Sequence, residues 1–198
     1  MKVLTNIGII GDFHSGKVEL LRFLVDYIKG GTAPLKAEIL KTEFIEENSS
    51  SSKYLDTLST KTIRPHRVVF KDLRTGKAHT LYASGGGDSK EESRMAFLTI
   101  TRISSRVVML FSLNHDLESQ FEILNEGRFL PREIPVGVNT LDLLGAEERI
   151  MLQKEAREKI MGFFQERKIH VSQILFLSTI TGEGLSNFME LVISLMRT

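Results

Sequence analysis

The 198-residue sequence predicts an α/β fold in which a mostly parallel sheet carries helices on both faces. Three observations support this expectation. Apolar strand candidates alternate with amphipathic helical segments along the whole chain. Two runs, VVMLF at 107–111 and ILFL at 174–177, are continuously apolar and rich in branched residues, as strands buried on both faces are. A glycine-containing segment separates the first strand from the first helix, the arrangement in which backbone N–H groups gather at a sheet edge.

Taken in order, the first strand is expected at 2–10 (KVLTNIGII), and Leu20, Leu21, Leu24 and Ile28 stand at helical spacing within a helix at 17–29. A long polar stretch follows from 30 to 62, with EENSSSSK at 46–53 as its least structured part; it reads as a flexible loop serving as a switch, a partner surface or a plain insertion. Strands at 66–73 and 78–83 flank the polar turn Leu73-Arg74-Thr75-Gly76-Lys77, which predicts a hairpin and one antiparallel edge. Four helices, at 89–102, 116–126, 145–167 and 185–197, then interleave with strands at 106–113, 134–139 and 173–178, giving a sheet of six strands. The alternating charges of AEERIMLQKEAREK at 146–159 read as a solvated helix face, and the Met and Phe residues at 161, 163, 164, 188, 189 and 196 as core.

The length and the 41% hydrophobic content fit one domain over 1–198 with a sizeable core. Twenty-six basic residues against 25 acidic ones give a formal net charge of +1, so nothing in the charge balance points to nucleic acid or an anionic membrane. With no cysteine, disulfides, thiol catalysis and thiolate metal sites are excluded, and a cytoplasmic protein is expected. The start MKVLTNIGII is not a signal peptide, residue 2 is Lys rather than a myristoylated Gly, and LMRT has no prenylation Cys, so no direct membrane anchor is expected. His66, His79, His115 and His170 lack metal-ligand spacing and read as surface or strand-end residues.

The segment Gly11-Asp12-Phe13-His14-Ser15-Gly16-Lys17-Val18 spells GxxxxGK between the first strand and the first helix. A loop of this kind curls its N–H groups around nucleotide phosphates and sends its Lys to the outer ones, while a following Ser or Thr holds Mg²⁺. Val18 has no oxygen for that last task. Two further loops, Val136–Asp142 and Leu177–Gly184, follow apolar strands and should converge on the same sheet edge.

With these motifs in this order, the chain resembles the Ras-like small GTPases, with Arf-like and MglA-like features, over nearly its whole length; the resemblance implies a P-loop NTPase fold of the small G-domain type. The family's NKxD motif reads Asn139-Thr140-Leu141-Asp142 here, and its SAK motif reads Ser178-Thr179-Ile180. The resemblance implies that Asp142 accepts from guanine N1 and the amino group, that Asn139 braces the loop, that the Thr179 backbone N–H meets the guanine oxygen, and that Ser178 orders that turn. An ionised Asp only accepts, which suits guanine's two donors and rejects adenine's mixed edge.

The switch II equivalent, Tyr82-Ala83-Ser84-Gly85-Gly86-Gly87-Asp88, keeps only Gly86, with Ala83 where the family has the Asp that holds metal-bound water and Gly87 where it has the water-orienting Gln. Phe13 and His14 occupy positions that are small in Ras, His14 being read either as a γ-phosphate contact or as a solvent-bonded loop histidine, and Thr140 replaces a Lys. For switch I, Thr60 and Thr62 both precede the second predicted strand; Thr62 is the preferred metal- and γ-phosphate-facing candidate, and a plain threonine leading into a strand is the alternative. By resemblance, then, the chain binds GTP or GDP with weakly held Mg²⁺, hydrolyses GTP slowly and engages a protein effector or regulator. The alternatives are a pseudo-GTPase that works through contacts alone and an adenine-nucleotide P-loop enzyme.

Overall fold

The computed structural model describes residues 3–12, 15–31, 36–44, 65–84, 90–125, 130–139 and 145–197. Along them run β1 (Val3–Gly11), α1 (Lys17–Lys29), β2 (Ala37–Glu43), β3 (His66–Asp72), β4 (Ala78–Ala83), α2 (Lys90–Ile103), β5 (Arg106–Ser112), α3 (Leu117–Asn125), β6 (Glu133–Asn139), α4 (Ala146–Glu166), β7 (His170–Leu177) and α5 (Leu185–Arg197). The strands form one sheet in the order β2-β3-β4-β1-β5-β6-β7. Pairing is parallel from β4 through β7 and antiparallel for β2–β3 and β3–β4. The mostly parallel α/β expectation holds.

The sheet has seven strands rather than six, because β2 lies inside the stretch from 30 to 62 that the sequence presents as a flexible loop. Its sequence, AEILKTE, hides it. Among the described residues it is an edge strand with a neighbour on one side only, and Ala37 and Ile39 alone of its apolar side chains pack on the core, while Leu40 is left 39% exposed. Charges at Glu38, Lys41 and Glu43 are how edges commonly resist adding a further strand, and they dilute the apolar signal.

Alternation along β5 shows why its apolar run is continuous. Val108 and Leu110 face a core with α1 and α5, whereas Val107, Met109 and Phe111 face a second core with α2, α3 and α4. On the first face Leu20, Leu21 and Leu24 are fully buried, and burying such a side chain is worth about 1.5–3 kcal/mol. This packing, rather than a side-chain N-cap, holds α1 in place, since Gly16 at its N-terminus has no capping side chain. On the second face α2 presses close to β1, where a Cβ on Gly8 would lie 2.5 Å from Ser104 Oγ. Phe121 and Phe163 stack there at a centroid distance of 4.2 Å, and Phe111 meets Phe121 edge-on.

The hairpin between β3 and β4 is built by Asp72, whose carboxylate accepts from the Arg74 N–H at 2.8 Å and the Thr75 hydroxyl at 2.9 Å. Gly76 completes the turn with a φ of 69°. Two sequence expectations need correction. His66 and His79 stand at the starts of β3 and β4, as the strand-end reading has it, but they are buried rather than on the surface, because α1 covers that side of the sheet, with His66 beside Phe44 and His79 beside Phe70. Met161 is 42% exposed, whereas Phe163, Phe164, Phe188, Met189 and Met196 are core. Among the described residues, no helix is long and apolar enough to cross a membrane.

Candidate phosphate-loop site

β1 leaves the sheet at Gly11, its last pairings being Ile9 with Ala83 and Gly11 with Leu110. A Cβ on Gly11 would run into the Leu110 carbonyl oxygen, so the exit is tight. The chain then turns, with the Ser15 N–H donating to the Asp12 carbonyl at 3.3 Å, and reaches Gly16 with a φ of 91°. That left-handed conformation favours glycine, and a Cβ there would also collide with Asn139 Nδ2 and press within 3.2 Å of Thr179 Cγ2. α1 begins at once, its first bond running from the Leu20 N–H to the Gly16 carbonyl at 3.0 Å. The N-terminal turn of a helix leaves orphan N–H donors and a positive dipole end, and with no side-chain cap this one is suited to an anion.

Lys17 is buried at this helix start, its Nζ donating to the Asp12 carbonyl at 2.5 Å and to Ser15 Oγ at 3.2 Å. Neither acceptor is charged. Burial therefore lowers its pKa to about 8, with the negative charges of Asp12 and Glu19 opposing the fall. The structure thus holds a desolvated ammonium on uncharged acceptors at the uncapped start of α1, an arrangement that a phosphate would relieve.

Asn139, buried at the end of β6, ties this loop to the one after β7. Its Nδ2 donates to the Ser15 carbonyl at 3.0 Å and to Thr179 Oγ1 at 3.1 Å, and its Oδ1 accepts from the Thr179 N–H at 3.0 Å. One amide side chain thus reaches a residue 124 positions away in the chain, Ser15. The Thr179 N–H, which the resemblance assigns to a guanine oxygen, is given to Asn139 here. Ser178 Oγ accepts from the Ile180 and Thr181 N–H groups at 3.2 and 3.0 Å and so orders the turn, leaving Ile180 76% exposed. Arg149 on α4 clasps Glu183 through both carboxylate oxygens, at 3.1 and 2.9 Å, and fastens the far side of the same loop.

The metal side of the site is poor in donors. Val18 is half-buried on the first turn of α1, and Ala83 packs beside Leu81 in the α1/α5 core. Among the described residues there is no group of three or more His, Asp or Glu side chains that could hold a metal ion. Among the described residues the first N–H groups of α1 and Lys17 suit a phosphate, and neither Val18 nor Ala83 offers a side-chain oxygen to a metal ion. Phe13, His14, Thr60, Thr62, Gly86, Gly87, Thr140 and Asp142 lie outside the described residues. Sequence reading missed Arg149, which sits in a charge-rich helix that looks wholly solvated, and Gln120, a polar residue on the buried face of α3 beside Leu117, Phe121 and Leu124.

No family model matches the chain, and no curated protein matches it. Its fold is similar to that of solved structures. The translation elongation factor SelB from Methanococcus maripaludis in complex with the GTP analogue GppNHp has 17% sequence identity and a TM-score of 0.61, covering 100% of this chain and 35% of that one. A bacterial selenocysteine-specific elongation factor, EF-Sec, has 13% identity and a TM-score of 0.62, covering 99% and 29%. The Methanosarcina barkeri Roco2 RocCORdC structure bound to GDP has 16% identity and a TM-score of 0.51, covering 98% and 49%. The chain therefore spans less than half the length of each of these three proteins, and what it shares with them is the α/β G-domain fold.

Proposed function

We propose that this chain is a guanine-nucleotide-binding module of the small-GTPase type, folded as one domain over residues 1–198. The observation that carries the proposal is the buried Lys17, held only by uncharged oxygens at the uncapped start of α1 in a GxxxxGK loop. The charges of Asp12 and Glu19 offset only part of the cost of burying that ammonium, and the outer phosphates of a nucleotide supply further counter-charge while α1's first N–H groups meet the same anion. Asn139 sets the Ser15 carbonyl and the turn at Thr179 at a fixed separation, so that the phosphate loop and the loop after β7 form one rim. Asp142 selects guanine on this reading, since a carboxylate accepts from guanine's two donors.

Val18 and Ala83 favour a second reading, a pseudo-GTPase whose bound nucleotide stabilises a surface for a protein partner. With a metal ligand missing at Val18 and a carboxylate missing at Ala83, binding depends little on Mg²⁺, and hydrolysis is slow on the first reading and absent on the second. The test is direct. Denatured purified protein should release GDP or GTP on chromatography, and calorimetry should show guanine binding that persists in EDTA and is not displaced by ATP. Absence of both bound nucleotide and measurable guanine affinity would falsify the proposal. Single-turnover hydrolysis separates the two readings, slow turnover marking a switch and none marking the pseudo-GTPase.

A further inference from the structure

We propose that Gln120 on α3 is a positioning residue for the nucleotide site, acting through Asn139; the nucleotide part of this inference rests on the function proposed above. When β1 leaves the sheet at Gly11, its last partner on β5 is Leu110, and the next outward-facing peptide of β5, at Ser112, has lost that strand neighbour. Gln120 takes the vacated place. Its Oε1 accepts from the Ser112 N–H at 2.9 Å and its Nε2 donates to the Ser112 carbonyl at 2.8 Å, the two bonds a neighbouring strand would make. The same Nε2 also reaches the carbonyls of His115 and Asp116, at 3.1 and 3.3 Å, drawing in the loop between β5 and α3. Gln120 is 2% exposed, so these bonds are made away from water, where an unmet peptide group is costly.

The other side of this segment faces β6. Ser112 is in register with Asn139, and the Leu113 N–H donates to the Asn139 carbonyl at 3.2 Å. Gln120 thus fixes the peptide segment that fixes the Asn139 backbone, and the Asn139 side chain in turn holds Ser15 and Thr179. The chain of bonds runs from α3 to the phosphate loop without a gap. A side chain that merely filled core volume would need no amide here, since its neighbours Leu117, Phe121 and Leu124 are apolar.

The experiment compares Gln120→Leu, the more adaptable Gln120→Met, Asn139→Ala and the double variant Gln120→Leu/Asn139→Ala, all folded by circular dichroism and assayed well below their melting temperatures. The readouts are GDP dissociation and amide hydrogen exchange at Thr179, with the remote Gly76 amide as control. Either Gln120 variant should speed GDP dissociation by about tenfold or more, as loss of buried hydrogen bonds implies. Thr179 exchange should quicken while Gly76 does not change. In the Asn139→Ala background, adding Gln120→Leu should leave dissociation unchanged, because residues acting in series are not additive. Independent, multiplying effects in the double variant, unchanged Thr179 exchange, or equal acceleration at Gly76 would each overturn the proposal. If the unsubstituted protein binds no guanine nucleotide, the functional reading fails and Thr179 exchange alone decides the role of Gln120, quickened exchange supporting it and unchanged exchange overturning it.

Discussion

Nucleotide binding to this protein should take up a proton, and the amount should depend on pH in a way set by Lys17. In the ligand-free protein burial lowers its pKa from 10.5 to about 8. An adjacent phosphate stabilises the ammonium and restores the charged form well above that value. At pH 7 about a tenth of the sites are neutral before binding, at pH 8 about half and at pH 9 about nine-tenths, so uptake should climb from about 0.1 to about 0.9 proton per nucleotide. The same linkage weakens apparent affinity by about tenfold between pH 7 and pH 9, or about 1.4 kcal/mol. Calorimetric titration with GDP in two buffers of different ionisation enthalpy measures the uptake directly. Lys17→Arg, which stays charged throughout, should bind without proton uptake at any of these values. Uptake that is absent at pH 9, or that persists in Lys17→Arg, would refute the assignment of Lys17 as the depressed phosphate contact. Ligand-free stability should move the opposite way to affinity. Between about 8 and 10.5 the unfolded chain holds the proton that the folded chain has lost, so Lys17 contributes stability that rises with pH across that window.

Gly16→Ala combines a positive φ with a Cβ driven into Asn139, so urea unfolding should show a loss of about 1–3 kcal/mol and GDP binding should weaken with it. His79 is buried, with Nδ1 lacking a hydrogen-bond partner, and burial, helped by the Lys77 charge and opposed by Asp72, lowers its pKa from 6.5. Its neutral form therefore contributes stability that is complete above 6.5 and is lost as pH falls below it, a dependence that Gln in place of His79 should flatten in acid unfolding curves. Lys168, a non-glycine residue with a φ of 56° just past α4, should yield about 0.5–1 kcal/mol of added stability as Lys168→Gly in thermal unfolding. Arg149→Ala should cost under about 1 kcal/mol, because the pair with Glu183 is partly exposed, yet amide exchange at Ser178 and Gly182 should quicken.

The parts of the fold that could be read from sequence are those where one local pattern has one meaning. Val107 to Phe111 is apolar without break because successive side chains serve two different cores, and the turn around Gly76 announces a hairpin through its own residues. β2 could not be read in this way, since an edge strand with one covered face and charged neighbours resembles polar loop. At the site, Gly16 and Lys17 are recognisable because their spacing is tied to the backbone geometry of the loop, whereas Asn139 is legible only through the resemblance. The burial of Lys17 against carbonyl oxygens is not legible, because it depends on how α1 seats on the sheet. Gln120 illustrates the same limit: its amide is needed only because β1 departs at Gly11, a fact of sheet order rather than of the LESQFEIL segment itself. The two histidines of β3 and β4 do stand at the starts of their strands, but polarity suggests a surface there that α1 and its neighbours in fact cover.

The pairing partners of β1 also govern the sequence of events by which the protein assembles. The hairpin of β3 and β4 closes through a turn of a few residues and forms on the microsecond scale, with Asp72 fastening it from within. β1, by contrast, must find Ala78 and Arg106, partners far along the chain, and each search carries a large loop-closure entropy. The frame of the glycine loop is therefore expected to be completed late, and a ligand bound there will act mainly by slowing unfolding rather than by hastening folding. During synthesis the loop's frame therefore cannot close before residue 110 is free to pair, since Leu110 is the last β5 partner of β1, and its tie to Ser15 waits further for Asn139.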